Sequence, residues 1–309
     1  MSSSLSPAAA SSSAAPGTAP GTAPRLGLGP FGIACRVVVA VVILLAANLG
    51  ANLVLGVVAL VPGVRAAVSG QSPWAFVFAL GMQVLVLVLV ALAVQAWMRW
   101  IERGTMRDIG WRWDRRSVVW LLLGIAVAAG SVVVVTAALP DIAPPPGGAA
   151  LLGEQEAHPA VIAGLVVHYL GLAFLQQGLP EELLFRGWLL WRLRHRPVTA
   201  VVVTTLAFTV IHLVSNGGQE SAWERVLYLA LPLGFALLAV GLLLWTGSLW
   251  AAVGVHGGFH VGNYLATALL PQADAVTSWL AIGGVQAGLG LALTVTALRS
   301  GRRILGPKG

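Results

Sequence analysis

The chain has 309 residues, of which 58% are hydrophobic and only 9% charged, where a soluble domain carries about a quarter charged residues. That composition excludes an ordinary soluble protein: the solvent for most of the chain is lipid. The net charge of +7 sits in short stretches between apolar runs, which reads as membrane orientation and excludes a nucleic-acid partner; the single Cys35 excludes an intramolecular disulfide.

Residues 1–30 are mostly Ser, Ala, Pro, Gly and Thr, with the repeat P-G-T-A-P-G-T-A-P at 16–24. They lack the bulky apolar residues a core needs, so they predict a disordered tail. Apolar stretches long enough to cross about 30 Å of hydrocarbon follow. Spans are predicted at 32–61, 74–98, 117–139, 159–191, 198–214, 224–245, 249–269 and 277–298. Backbone groups in lipid must pair internally, so the spans are helices. The fold class is all-α: a polytopic transmembrane helical bundle of about eight spans filling 31–300, with a short basic tail at 301–309.

Basic residues set the orientation. Loop 99–116 carries Arg99, Arg103, Arg107, Arg112, Arg115 and Arg116. The turn after the fourth span carries Arg192, Arg194 and Arg196, and the C-terminal tail Arg299, Arg302, Arg303 and Lys308. With eight spans and both termini cytoplasmic, all three fall on the cytoplasmic side. Loop 140–158 has Asp141, Glu154 and Glu156 and no basic residue. Loop 99–116 also holds Trp100, Trp111 and Trp113, which suits a segment lying at the interface.

Ionisable groups inside spans are expensive and usually functional. Of eleven acidic residues, two lie well within a span: Glu181 and Glu182, in Q-Q-G-L-P-E-E-L-L-F-R-G-W. Arg186 follows Glu182 by four residues, so the two share a helix face and can pair. Glu181 points about 100° away and lacks such a partner, which suits a general base.

Among six histidines, His158 and His195 lie in loops, and His168 lies about 20 Å along the helix from Glu181, a core histidine. His212 ends F-T-V-I-H in the fifth span. A hairpin folded near Arg196–Pro197 brings it to the depth of Glu181. His256 and His260, in V-H-G-G-F-H-V-G-N, project from one face of the seventh span. Gly257 and Gly258 between them let another helix approach closely.

These residues resemble the three motifs of the CPBP family: E-E-x-x-x-R at 181–186, F-x-x-x-H at 208–212 and H-x-x-x-(polar) at 256–260. That family groups type II CAAX prenyl endopeptidases with bacteriocin-processing and immunity-like membrane proteins. The similar core spans about 158–270. The resemblance implies an eight-helix intramembrane endopeptidase in which Glu181 and His212 activate a water. His256 and His260 then stabilise the oxyanion, and Glu182 and Arg186 support the first motif. The third motif usually ends in Asn or Asp, and here it is His260. That departure makes Glu181, His212, His256 and His260 candidate ligands of a divalent metal such as zinc.

The resemblance further implies membrane-held protein or peptide substrates, lipidated ones included. The abundance of Ala, Gly and Arg, with one lysine against seventeen arginines, points to a GC-rich bacterium and its plasma membrane. Two other classes fit intramembrane Glu and His: a non-catalytic or immunity-like scaffold keeping the fold, and a transporter with a proton relay. The transporter predicts repeated halves, and the sequence has none.

Overall fold

In the computed structural model, residues 24, 26–68, 73–140 and 159–302 are described. Most of the predicted tail 1–30, nearly all of loop 140–158 and most of the basic tail 301–309 lie outside them.

The architecture is all-α. In chain order the elements are α1 (Pro30–Val58), α2 (Pro62–Val68), α3 (Pro73–Trp97) and α4 (Arg115–Ala138). Then come α5 (Pro159–Arg192), α6 (Pro197–Ile211), α7 (Ala222–Tyr228), α8 (Ala230–Thr246), α9 (Leu249–Leu269) and α10 (Ala275–Arg299). Prolines open α1, α2, α3, α5 and α6, where the missing N–H would have no helical partner. Asp114 caps α4, its carboxylate accepting from the Ser117 N–H at 2.8 Å, and Asp274 caps α10 from Thr277 at 2.9 Å.

Among the described residues, seven helical stretches are long and apolar enough to cross a membrane, and the chain is a multi-pass membrane protein. Val38, Val42, Leu45, Leu49 and Leu53 of α1 are all exposed. They recur at helical spacing, as one lipid-facing stripe requires. The expected eighth span is α9, 21 residues long, and it is not among the seven. Its interior carries His256, His260 and Asn263, which lower its hydropathy. The helix stays inside the bundle because its neighbours, not lipid, cover it: Val253, Val255 and His256 are buried.

Glycines set the packing around α9. Gly254, Gly258 and Gly262 recur every fourth residue and face α4. A Cβ at Gly258 would lie 2.5 Å from Ile125 Cα, and one at Gly262 2.8 Å from Ala129 Cα, so the two backbones nearly touch. The α8–α10 contact repeats the device: a Cβ at Gly241 would lie 2.7 Å from the Gly290 carbonyl oxygen.

The three basic stretches meet at one end of the bundle. Arg36 of α1 donates to Glu102 through Nε at 2.6 Å and Nη2 at 3.0 Å. Its remaining donors hold the carbonyls of Leu26, Gly27 and Gly32. Arg192 Nε lies 2.8 Å from Glu102 Oε2. Trp250 of α9 donates to the Arg112 carbonyl at 2.6 Å, and Arg302 contacts the Trp245 carbonyl. Trp113 packs edge-on against Trp250 at 4.5 Å between ring centroids. The Trp- and Arg-rich loop is thus pinned to the bundle end.

Candidate active site

α5 is not a uniform helix. Leu172–Gly178 and Leu183–Leu189 are π-helical and flank a four-residue α segment, Leu179–Glu182. Pro180 explains the first widening: it has no N–H, and its ring crowds the carbonyl one turn back. π turns recur at functional sites because they displace side chains from the regular helical track. Glycine then permits close approach. A Cβ at Gly178 would lie 2.7 Å from the Ala173 carbonyl oxygen and 3.7 Å from the Gly257 N of α9. This crossing brings the two glutamates to the histidines of α9.

Glu182 is fully buried. Its Oε1 accepts from Arg186 Nη1 at 3.0 Å and pairs with His256 Nδ1 at 3.1 Å. Arg186 also donates Nη2 to the Ala236 carbonyl at 3.3 Å, and its guanidinium stacks 4.2 Å from the Phe208 ring centroid. Glu182 therefore ties three helices, α5, α8 and α9, through Arg186 and His256. The predicted Glu182–Arg186 pair is present; the bond to His256 was not foreseen.

Glu181 is half-buried, and its Oε2 is buried with no hydrogen-bond partner. Its charged neighbours are Glu182 and Arg186. Glu182 Oε2 is likewise buried without a partner, so the two carboxylates differ in one respect: Glu182 is anchored through Oε1 to Arg186 and His256, and Glu181 has no hydrogen-bond or ion-pair partner among the described residues.

The three candidate histidines share one aromatic-walled region. The His212 ring lies 4.6 Å from Phe208 and 6.3 Å from Phe235. The His256 ring contacts the same two residues at 6.0 and 5.1 Å. His260 stacks on His256 at 5.4 Å. No hydrogen bond or ion pair joins Glu181 to His212 among the described residues; His212 gives its Nδ1 to the Phe208 carbonyl at 2.7 Å.

Those partners fix the tautomers. A carbonyl oxygen only accepts, so His212 carries its proton on Nδ1. An ionised Glu182 likewise only accepts, so His256 carries its proton on Nδ1. Both rings therefore present Nε2 as a lone pair, able to take a proton or hold a water. His256 can donate from Nε2 only after it has received a proton. Held by a carboxylate at the other nitrogen, it has the arrangement of a hydrolytic carboxylate–imidazole pair.

Such lone pairs also suit a metal. Among the described residues, however, no group of three or more His, Cys, Asp and Glu side chains is placed to hold one. The candidate zinc ligands Glu181, His212, His256 and His260 share a region without converging on a point, and the chemistry below uses protein groups alone.

His168 hydrogen-bonds Gln83 at 3.1 Å, well away from the glutamates, and His195 is exposed; His158 lies outside the described residues. Two tyrosines border the site without having been singled out. Tyr264 stacks 6.3 Å from His260, at an i+4 spacing visible in the sequence. Tyr228 lies within electrostatic reach of Glu181, a proximity across helices that leaves no local signal.

Fold and site together define a multi-pass helical membrane protein with a buried carboxylate–imidazole centre. Residues 159–262, about a third of the chain, match the family model described as Type II CAAX prenyl endopeptidase Rce1-like. The matched segment includes Glu181, Glu182, Arg186, His212, His256 and His260. No curated protein and no solved structure matches the chain. The family is one of proteases, which supports a membrane peptidase.

Proposed function

We propose that this protein is an intramembrane endopeptidase that hydrolyses peptide bonds of membrane-associated protein or peptide substrates, lipidated ones included. The observation that carries the reading is the division of labour between adjacent carboxylates in the matched segment. Glu182 is bound through Oε1 to Arg186 and His256, while Glu181 has no hydrogen-bond or ion-pair partner among the described residues.

In this mechanism Glu181 takes a proton from a water that the His212 Nε2 lone pair orients. The water oxygen bonds to the peptide carbonyl carbon, and the carbonyl becomes an oxyanion. Glu181 hands that proton on to His256 Nε2, and the imidazolium so formed, braced by Glu182 at Nδ1, donates to the oxyanion, with His260 stacked beside it. The C–N bond then breaks, and the same proton passes from His256 Nε2 to the leaving amine. The Arg-rich end of the bundle faces the cytoplasm in this reading, with both termini on that side, and the membrane is the plasma membrane of a bacterium.

Glu181→Gln keeps size and hydrogen bonding and removes the base. Purified wild type and variant are given a reporter peptide in proteoliposomes, with and without chelator. The variant is expected to lose cleavage by about 100-fold or more at unchanged thermal stability, and wild-type cleavage is expected to survive the chelator. Cleavage by the variant at the wild-type rate sinks the mechanism; loss of wild-type cleavage on chelation sinks its metal-free form.

A further inference from the structure

At the Arg-rich end, a cleft of about 710 Å³ opens between the last turns of α3 and the loop that follows. Ala91, Gln95 and Arg99 form one wall. They recur every fourth residue, so they share a helix face. The wall passes from methyl to carboxamide to guanidinium over about 12 Å. Thr105, Arg107 and Trp111 line the opposite side. This gradient runs in the same sense as a membrane interface: Val88 and Leu92 of α3, deeper in the bundle, are exposed to lipid, and Trp100 is exposed at the level of the arginines.

The cleft is built by local chemistry. Arg103 adopts a left-handed conformation, φ 58°, which turns the chain sharply off α3. Asp108 closes the following loop by accepting from Thr105 N at 2.7 Å and Thr105 Oγ1 at 2.9 Å. Its Oδ2 is thereby occupied within the loop. Arg99 and Arg107 are exposed, and neither side chain has an ion pair among the described residues. Two guanidinium groups without counter-ions stand at the mouth of a cleft whose floor is apolar. Guanidinium forks match phosphate oxygens, and basic pockets at this level suit acidic headgroups.

We propose that this cleft binds the headgroup of an anionic phospholipid. The phosphate sits between Arg99 and Arg107, the ester region lies against Gln95 and Thr105, and an acyl chain runs along Ala91 and Leu92. The occupied loop lies against α5 just past the glutamates. A Cβ at Gly187 would be 3.3 Å from the Ile109 carbonyl oxygen, and one at Gly104 would be 3.1 Å from the Trp191 ring. Bound lipid would therefore steady the segment that carries Glu182 and Arg186.

The test uses the full-length protein in detergent, titrated with phosphatidylglycerol or phosphatidylcholine and followed by native mass spectrometry and thermal shift. Phosphatidylglycerol is expected to bind and stabilise the wild type, with phosphatidylcholine much weaker. Arg99→Gln with Arg107→Gln should weaken phosphatidylglycerol about 30-fold, at roughly 5-fold per arginine. Arg107→Gln alone, a change on an exposed loop, should give about 5-fold even if the double variant folds poorly. Arg65→Gln, outside the cleft, should bind as wild type. Equal affinity for the two lipids, or an Arg107→Gln variant that binds phosphatidylglycerol as tightly as wild type, overturns the proposal. Inorganic phosphate saturating the site as tightly as phosphatidylglycerol also overturns it, since the ligand would then be a free anion.

Discussion

Glu182→Gln probes the centre of the site. Glu182 and Arg186 are both fully buried, and His256 is 2% exposed. The substitution keeps the volume and removes one charge. It leaves the Arg186 guanidinium buried without its ion-pair partner, held by the Ala236 carbonyl and the Phe208 ring, with the Glu181 carboxylate near but not bonded to it. Breaking a buried pair in this way costs about 3–5 kcal/mol. At about 2–4 °C per kcal/mol, the melting temperature should fall by roughly 6–20 °C, read from intrinsic tryptophan fluorescence in detergent. Arg186→Met should do comparable damage by stranding the carboxylate. The double variant removes both members of the pair and should regain most of that loss, because neutral replacements of a buried pair are often tolerated. Cleavage should stay low in the double variant even where stability returns, because Glu182 also sets the proton on His256. If the two single changes add in the double variant, Glu182 and Arg186 are not coupled and the reading fails.

Three further predictions follow from the packing, a helix cap and the bundle end. Gly258→Val needs α4 and α9 to part by about 1 Å, since ordinary carbon contacts lie at about 3.5–4.0 Å and its Cβ would sit 2.5 Å from Ile125 Cα; a loss of about 1–3 kcal/mol is expected. Gly284→Val on α10, with nothing within 4 Å, should leave the melting temperature nearly unchanged, and equal losses would refute the close-approach account. Asp114 is held below its ordinary carboxylate pKa of 3.8 by the Ser117 hydroxyl, then by the Ser117 backbone N–H. Its capping contribution is therefore complete above pH 3.8 and lost as the pH falls through the lower folded value; Asp114→Asn should flatten stability against pH below that point, which melting curves from pH 2 to 7 would read. Arg36→Gln frees the carbonyls of Leu26 and Gly27, so amide exchange over 26–32 should quicken while exchange in α9 does not; equal exchange in both proteins would show that Arg36 anchors nothing.

What the sequence shows of this molecule is mostly what lies within one helix. The Glu182–Arg186 pair, the shared face of His256 and His260 and the apolar spans all follow from helical spacing. The glycines between the histidines announce a close neighbour, though not that Phe174 and Ile125 would be the groups met. What stays hidden needs distant segments to meet. Glu102 looks like a span-end residue, yet it is buried with Arg36 and Arg192, and Trp97 and Trp188 also donate to it. The expected span 249–269 does not qualify as one by hydropathy for a physical reason: α9 carries the site's polar groups, and its burial by α4, α5 and α8 replaces the apolar surface that lipid contact would demand.

The most consequential hidden contact is His256 to Glu182, 74 residues apart. Helical spacing alone makes Glu182 the scaffold partner of Arg186 and leaves Glu181 to act alone. The structure gives Glu182 a second task. By accepting from Nδ1 it forces the His256 lone pair to Nε2, so His256 cannot donate to an oxyanion in its resting neutral form. Any oxyanion role must follow proton transfer to that nitrogen within the catalytic cycle. In the proposed mechanism the two adjacent carboxylates then act on different atoms of one reaction, Glu181 on the water and Glu182 on the imidazole that answers the developing charge. Replacing either leaves the other unable to compensate, because they point to different faces of α5. Glu181→Gln should therefore abolish cleavage without loss of stability, and Glu182→Gln should lose both.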